Sequence, residues 1–225
     1  MIRSVSVIIP ARREEFFLTR LLASLAPVSG VEVIVSVPRG DAISARVAAT
    51  FGVTVVEGEA GRGAQLRAGG EKAGGDALLF CHADAVLPEG WKEGVLSCLA
   101  EKGVGGGAFR LRIDTPAFAG RLISLGANWR GRLLGLVYGD QAVFTTRTNY
   151  KKIGGFPPLP IMEDVDFVRR LGRIGRFVLL PQEVLVSPRR WEEEGYLFGT
   201  VRNAALVFLY LLGVPANRLT AWYRN

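Results

Sequence analysis

Leu78-Leu79-Phe80-Cys81-His82-Ala83-Asp84-Ala85-Val86-Leu87-Pro88 is the stretch on which the reading of the fold turns. A short apolar run stops abruptly at His-Ala-Asp, and a proline follows. No polar residue alternates within the run, so it reads as a strand buried on both faces, as in a parallel sheet. In open α/β sheets, ligands collect at the carboxyl ends of the strands. His82 is the only histidine in the chain. On a strand continuing over 77–82 and beyond, His82 and Asp84 share one face. An imidazole and a carboxylate there suit a divalent cation. A turn-making aspartate and a histidine bonded to backbone fit the same pattern.

Working outward, strands read at 4–9, 31–37, 53–56 and 77–82, with helices at about 15–26, 42–51, 62–73 and 90–101. This alternation predicts a doubly wound α/β fold, with a mostly parallel sheet, helices on both faces and right-handed crossovers. After 103 the rhythm changes. Gly105 to Asp114 reads as an alternating strand, and a helix follows near 118–133. Tyr138 to Phe144 reads as a strand led by polar groups. A helix opens at 163, a strand lies at 176–180, and the chain from about 190 onward reads as helical. There is no internal repeat, low-complexity tract or linker, so 1–225 is expected to be one domain with two halves, about 1–102 and 103–225.

The second informative stretch is Gly154-Gly155-Phe156-Pro157-Pro158-Leu159-Pro160-Ile161-Met162-Glu163-Asp164-Val165-Asp166-Phe167-Val168-Arg169-Arg170. A Gly/Pro-rich loop runs into an acidic pair that opens a helix. Positions 164, 167, 168 and 171 fall on one helical face. Phe167, Val168 and Leu171 make that face apolar, yet Asp164 shares it. An inward carboxylate at a helix start is placed to take a proton from a substrate hydroxyl. The alternative is that Glu163 and Asp164 only cap the helix and favour its dipole.

Composition sets limits on function. The net charge of +7 suits phosphate-bearing ligands, an anionic membrane surface or nucleic acid. No basic run, aromatic-interleaved RNA-binding strand or zinc-knuckle spacing is present, so no nucleic-acid partner is expected. Cys81 and Cys98 make no disulfide framework and point to a reducing, cytoplasmic setting. The alternating start, Met1 to Pro10, reads as a first strand rather than a signal peptide. The longest apolar stretch, Ala204 to Val214, is too short to span a bilayer. It suits a buried helix or one lying on the inner membrane face.

Several motifs converge on one family. Ser6-Val7-Ile8-Ile9-Pro10-Ala11, Asp84, Glu163-Asp164 and Arg190-Trp191 resemble the family-2 glycosyltransferases, which have the GT-A fold. The likeness covers nearly the whole chain. Gly61-Arg62-Gly63-Ala64-Gln65, His82-Ala83-Asp84, Tyr138-Gly139-Asp140-Gln141, Pro160 to Phe167 and Ser187-Pro188-Arg189-Arg190-Trp191 are similar to a bacterial subgroup named for arsenosugar biosynthesis. There are departures. His82 stands where the Asp-x-Asp motif begins, and Ser187 replaces the Gln of Gln-x-x-Arg-Trp. Arg67 stands where many relatives have Asn, and Ser36 to Asp41 replaces Asp-Asp-Gly-Ser.

The resemblance implies an inverting, metal-dependent, hexosyltransferase-like enzyme. Such an enzyme moves a sugar from a nucleotide-diphosphate donor, with UDP as the expected nucleotide, to the hydroxyl of a small-molecule or lipid-linked acceptor. Its first half would bind the donor and its second half the acceptor. Mn²⁺ or Mg²⁺ would be held by Asp84, with His82 as an auxiliary ligand. Donor contacts are expected from Pro10, Ala11, Arg13, Asp41, Arg62, Gln65, Arg67 and Arg190. Acceptor contacts are expected from Tyr138, Asp140, Gln141 and Trp191. Asp164, with Glu163, carries the catalysis. Two other readings compete. A nucleotidyltransferase would want a Gly-rich loop and a Lys after the first strand, and Pro10 to Glu15 lacks them. A catalytically silent nucleotide-sugar-binding protein is favoured by His82 and opposed by the intact Glu163-Asp164.

Overall fold

The structure, a computed structural model, describes residues 2–25 and 28–223. Its elements in chain order are β1 (Val5–Pro10), α1 (Phe16–Ser24), β2 (Val31–Pro38), α2 (Ala42–Thr50), β3 (Thr54–Gly58), α3 (Arg62–Lys72), β4 (Ala77–Phe80) and β5 (Ala85–Val86). There follow α4 (Trp91–Ala100), β6 (Val104–Ile113), α5 (Phe118–Leu134), a 3-10 turn (Gly139–Gln141), β7 (Val143–Thr146) and α6 (Arg147–Lys152). The chain continues through α7 (Glu163–Ile174), β8 (Arg176–Val186), α8 (Arg189–Glu194), α9 (Tyr196–Leu211) and α10 (Ala216–Tyr223). One sheet takes the order β3-β2-β1-β4-β7-β6-β8-β5. β1 to β4 run parallel, β7 and β5 run antiparallel to their neighbours, and β6 is parallel to β8.

The period of two along the strands builds the two cores. Val5, Val7 and Ile9 of β1, with Leu79 of β4, pack beneath α1, α2 and α4 in a core lined by Leu18, Leu21, Ala48 and Val95. Ile8 of β1 with Leu78 and Phe80 of β4 point the other way. They meet Leu66 of α3, Tyr150 of α6, and Phe167 and Leu171 of α7. The expected helices on both faces are therefore present. A third cluster joins Ile161, Met162 and Val165 at the start of α7 to Leu206 and Val207 of α9 and Leu219 of α10.

Four expectations are corrected. β4 does not continue through His82; it ends at Phe80. Cys81 makes one last bond to the Ile8 carbonyl (2.9 Å), and the next rung fails because Pro10 has no N–H to donate. His82 and Asp84 therefore sit in a turn closed by Ala85 N–H on the His82 carbonyl (3.2 Å). Residues 139–141 are a 3-10 turn rather than the start of a strand. There Gln141 spends its amide on the Phe109 carbonyl of β6 (3.0 Å). β8 runs to Val186, because the strand passes Pro181 through a register shift between Phe109 and Arg110 of its partner. Finally, α6 forms on a Thr146 cap, whose hydroxyl accepts from Asn149 N–H (3.0 Å), where no helix is expected. The expected end of the first helix, residue 26, lies outside the described residues.

Candidate active site

The carboxyl end of β4, the 3-10 turn, the start of α7 and the inner faces of α5 and α9 enclose a cavity of about 350 Å³. Arg62, His82, Asp84, Tyr138, Asp140 and Asp164 reach it, and Arg190 and Trp191 close one side. Asp164 is buried in the first turn of α7. Its Oδ2 accepts from Gly139 N–H (2.7 Å), and its Oδ1 accepts from Val165 N–H (2.8 Å). Gly139 is required by close approach. A Cβ there would lie 3.0 Å from His82 Nε2 and 3.2 Å from Asp164 Oδ2. The turn thus carries a backbone donor to the carboxylate through a gap that no side chain fits.

Glu163, the residue before Asp164, is 1% exposed. It forms an ion pair with Arg62 Nε, whose Nη2 lies 3.8 Å from Asp164 Oδ2. α3 reaches this close to the loop before α7 because residue 63 is glycine. A Cβ there would meet the Pro157 carbonyl at 2.7 Å and the Leu159 carbonyl at 3.0 Å. Met162, just before the acidic pair, holds φ 63°, Ala142 after the 3-10 turn holds φ 48°, and Arg13 after β1 holds φ 54°. Such left-handed non-glycine residues persist only where the surroundings over-determine them, and they gather at functional sites.

Burial dominates the electrostatics. Burial pulls Arg62 down, but Glu163 and Asp164 outweigh it and hold the guanidinium firmly charged. Burial, helped by the charge of Arg62, pushes His82 down to about 3, so the imidazole is neutral. Burial lifts Asp140 to about 6 against the pull of Arg130. Burial also raises Asp84 and Glu163 above the ordinary carboxylate range. His82 Nε2 and Asp140 Oδ1 are buried with no hydrogen-bond partner among the described residues. Buried polar atoms of this kind normally have partners, so each is a place for a ligand atom.

Of the residues expected at the site, Arg62, His82, Asp84, Tyr138, Asp140, Asp164, Arg190 and Trp191 are brought together. The rest stand elsewhere. Asp41 caps α2 and accepts from Ser44 N–H (3.2 Å), the Ser44 hydroxyl (2.8 Å) and Arg13 N–H (2.7 Å). Gln65 is buried and staples the Ala11 and Ser36 carbonyls at 2.8 and 2.7 Å. Pro10 and Ala11 lie at the carboxyl end of β1, beside that staple. Arg67 pairs with exposed Glu71 at 2.9 Å. Gln141 is fully buried on Phe109, away from the cavity.

The sequence reading missed Arg130, whose guanidinium lies 3.6 Å over the Tyr138 ring, and Asn203 of α9, which lines the opposite wall. It also missed Tyr223 of α10, whose hydroxyl bonds Arg190 and ties the last helix to the site. An arginine eight residues before Tyr138 and an Asn in an apolar helix were the available signals.

Asp84 and the unpartnered His82 nitrogen fit a divalent cation that takes one or two protein ligands and completes its shell with phosphate oxygens and water. No cluster of three or more His, Cys, Asp or Glu side chains able to hold a metal by themselves occurs among the described residues.

Residues 6–145 match the family described as glycosyl transferase family 2. No curated protein matches the sequence. Among solved structures, the chain is similar to glucosyl-3-phosphoglycerate synthase from Mycobacterium tuberculosis in complex with Mn²⁺, UDP and glucosyl-3-phosphoglycerate. The TM-score is 0.66 at 21% identity, covering 95% of this chain and 81% of that one. The same synthase with Mg²⁺ and UDP aligns with TM-score 0.63 at 21% identity, covering 95% of this chain and 80% of that one. S. aureus TarS (1–349) in complex with UDP-GlcNAc aligns with TM-score 0.64 at 16% identity, covering 82% of this chain and 58% of that one. At these identities the likeness is one of fold, and the fold is the GT-A glycosyltransferase fold anticipated from the motifs.

Proposed function

The chain belongs to glycosyltransferase family 2, and from that premise we propose that it transfers a sugar, with inversion, from a nucleotide-diphosphate donor to an acceptor hydroxyl. The observation that carries this reading is the cavity itself. The carboxylates of Asp164, Asp84 and Asp140 share it with three arginines, Arg62, Arg130 and Arg190. Asp164 takes the proton from the acceptor hydroxyl, which attacks the anomeric carbon from the face opposite the leaving diphosphate. The displacement is single, so no protein nucleophile is needed. Arg62 and Arg190 offset the charge that develops on the diphosphate. Glu163 acts as a positioning residue by holding Arg62.

Mn²⁺ or Mg²⁺, which accompanies UDP in the solved synthase complexes, would be held by Asp84 with His82 beside it, and would neutralise the diphosphate as it leaves. The nucleoside is assigned to the carboxyl ends of β1 and β2, near Ala11, Arg13 and Asp41, with UDP as the expected nucleotide. The acceptor, a small molecule or a lipid-linked one, is assigned to Tyr138, Asp140 and Trp191. Motifs shared with the subgroup named for arsenosugar biosynthesis support placing the chain there, on sequence alone.

Calorimetry of UDP binding with Mn²⁺, followed by donor hydrolysis, tests this reading. Wild type should bind and slowly hydrolyse a UDP-sugar, and Asp84→Ala should lose the Mn²⁺-dependent part of UDP binding. Unchanged metal-dependent binding in Asp84→Ala would remove the metal assignment. Binding without hydrolysis or transfer for any nucleotide sugar would favour a silent binding protein.

A further inference from the structure

Apart from Phe16, Ile43 and Phe51, every exposed large hydrophobic residue among the described residues lies on α5, on α9 and the turn after it, or on α10. On α5 they are Phe118, Leu122, Leu125, Trp129 and Leu133, spaced by four, three, four and four, with Leu134 beside the last. That spacing draws a single stripe along the helix. The opposite face of α5 is buried through Gly120, Ser124, Ala127 and Gly131. α9, which packs beside α5, exposes Leu197, Phe198, Val201, Phe208 and Leu211. α10 exposes Trp222.

Charge follows the same division. The chain has 21 acidic residues, yet none falls within 115–139 or 195–225, the segments that contain these three helices. Arg121, Arg132 and Arg218 are exposed on them and pair with no carboxylate among the described residues.

We propose that the α5–α9–α10 face docks on an anionic lipid bilayer. Aromatic and leucine side chains beside unpaired arginines, without acids, match a surface with an apolar interior and a negative headgroup layer. A second copy of this chain fits poorly. A two-fold contact would bring the same arginines together with no acid to meet them. Nor does the face work by spanning, since no helix among the described residues is long and apolar enough to cross a membrane. Ile123 and Ala127 of α5 and Ala204 and Val207 of α9 line the cavity from within. Docking therefore sets the site's own walls against the lipid.

The test is co-sedimentation with phosphatidylcholine vesicles and with vesicles that also carry phosphatidylglycerol, at low and high salt. Wild type should bind the anionic vesicles at least about tenfold more tightly than the neutral ones, and less tightly at high salt. Leu125→Ser with Trp129→Ser should weaken that binding at least about tenfold. Arg121→Glu with Arg132→Glu should do the same through charge alone. UDP–Mn²⁺ binding should be unchanged in both pairs. If the serine pair melts early, the charge-reversal pair decides. The proposal is overturned if wild type ignores anionic vesicles, or if both variant pairs bind them as wild type does. A concentration-dependent dimer in sedimentation velocity that the serine pair abolishes would also overturn it, in favour of self-association.

Discussion

Replacing Gly139 by alanine tests the geometry of the carboxylate with a single methyl group. The added carbon would sit 3.0 Å from His82 Nε2, 3.2 Å from Asp164 Oδ2 and 3.4 Å from Asp164 Cβ. Ordinary contact begins near the last of these, so the two side chains must retreat by a few tenths of an ångström. Residue 139 is not in the left-handed region, so alanine adds no backbone strain. Overpacking costs about 1–3 kcal/mol, offset by about 0.4–1 kcal/mol from the stiffer unfolded chain. The net loss of about 1–2 kcal/mol should lower Tm by about 2–8 °C in a chain of this size. The effect on rate is more specific. A misplacement of about 1 Å costs about 10²-fold, so a third of that costs about fourfold on the logarithmic scale. Lengthening of the 2.7 Å bond from Gly139 N–H as Asp164 retreats adds to this. Single-turnover transfer at saturating donor and Mn²⁺ should therefore slow at least about fourfold, conditions that separate the retreat of Asp164 from weaker metal binding through His82. A variant with lowered Tm and full transfer rate would refute the claim that the turn positions Asp164 for chemistry.

Two further substitutions probe the surrounding charges. Glu163→Gln removes the charged partner of Arg62 at a position 1% exposed. It should cost about 1.5–3 kcal/mol in urea unfolding, and an unchanged midpoint would contradict the pairing. Asp140→Asn tests the pH dependence. Burial raises Asp140 from 3.8 to about 6. Its contribution to stability is therefore present below about pH 4 and is lost as pH rises through about 6, a change of about 2–3 kcal/mol. The Asn variant should gain stability relative to wild type across that window, and parallel profiles from pH 4 to 8 would sink the assignment.

How much was legible in the sequence depends on which residues spoke through local pattern. The run Leu78 to Cys81 announced a buried parallel strand, and β4 pairs in parallel with β1 as read. The acidic pair at 163–164 opens α7 as read. The strand limit at Phe80 was not legible, because it is set by a proline on the neighbouring strand. The separation of Glu163 from Asp164 was not legible either. Adjacent helical positions point about 100° apart, and only the packing of α3 at Gly63 lets Glu163 bond Arg62 Nε while Asp164 lies 3.8 Å from its Nη2. Asp41, Gln65 and Gln141 are expected as ligand contacts from the family resemblance. Their local partners, Arg13 and Ser44 N–H for Asp41, the Ala11 and Ser36 carbonyls for Gln65 and the Phe109 carbonyl for Gln141, are set by the tertiary fold and were not legible. Tyr223 reaches the cavity from a distant segment, and nothing in its immediate sequence announces it, whereas Arg130 lies eight residues before Tyr138.

Asp164 is the group proposed to take the acceptor proton. Its most direct test is the single-turnover transfer rate of Asp164→Asn beside its donor dissociation constant. The control is Asp166→Asn, two residues on, where Asp166 pairs with Arg170 at 2.7 Å, a contact of about 0.2–0.5 kcal/mol. Asparagine keeps the size and much of the hydrogen bonding of Asp164 but cannot accept the proton. Transfer should fall about 10²–10⁴-fold in Asp164→Asn with donor affinity unchanged, and stay at the wild-type rate in Asp166→Asn. Near wild-type transfer by Asp164→Asn, or a loss fully explained by weaker donor binding, would contradict the account.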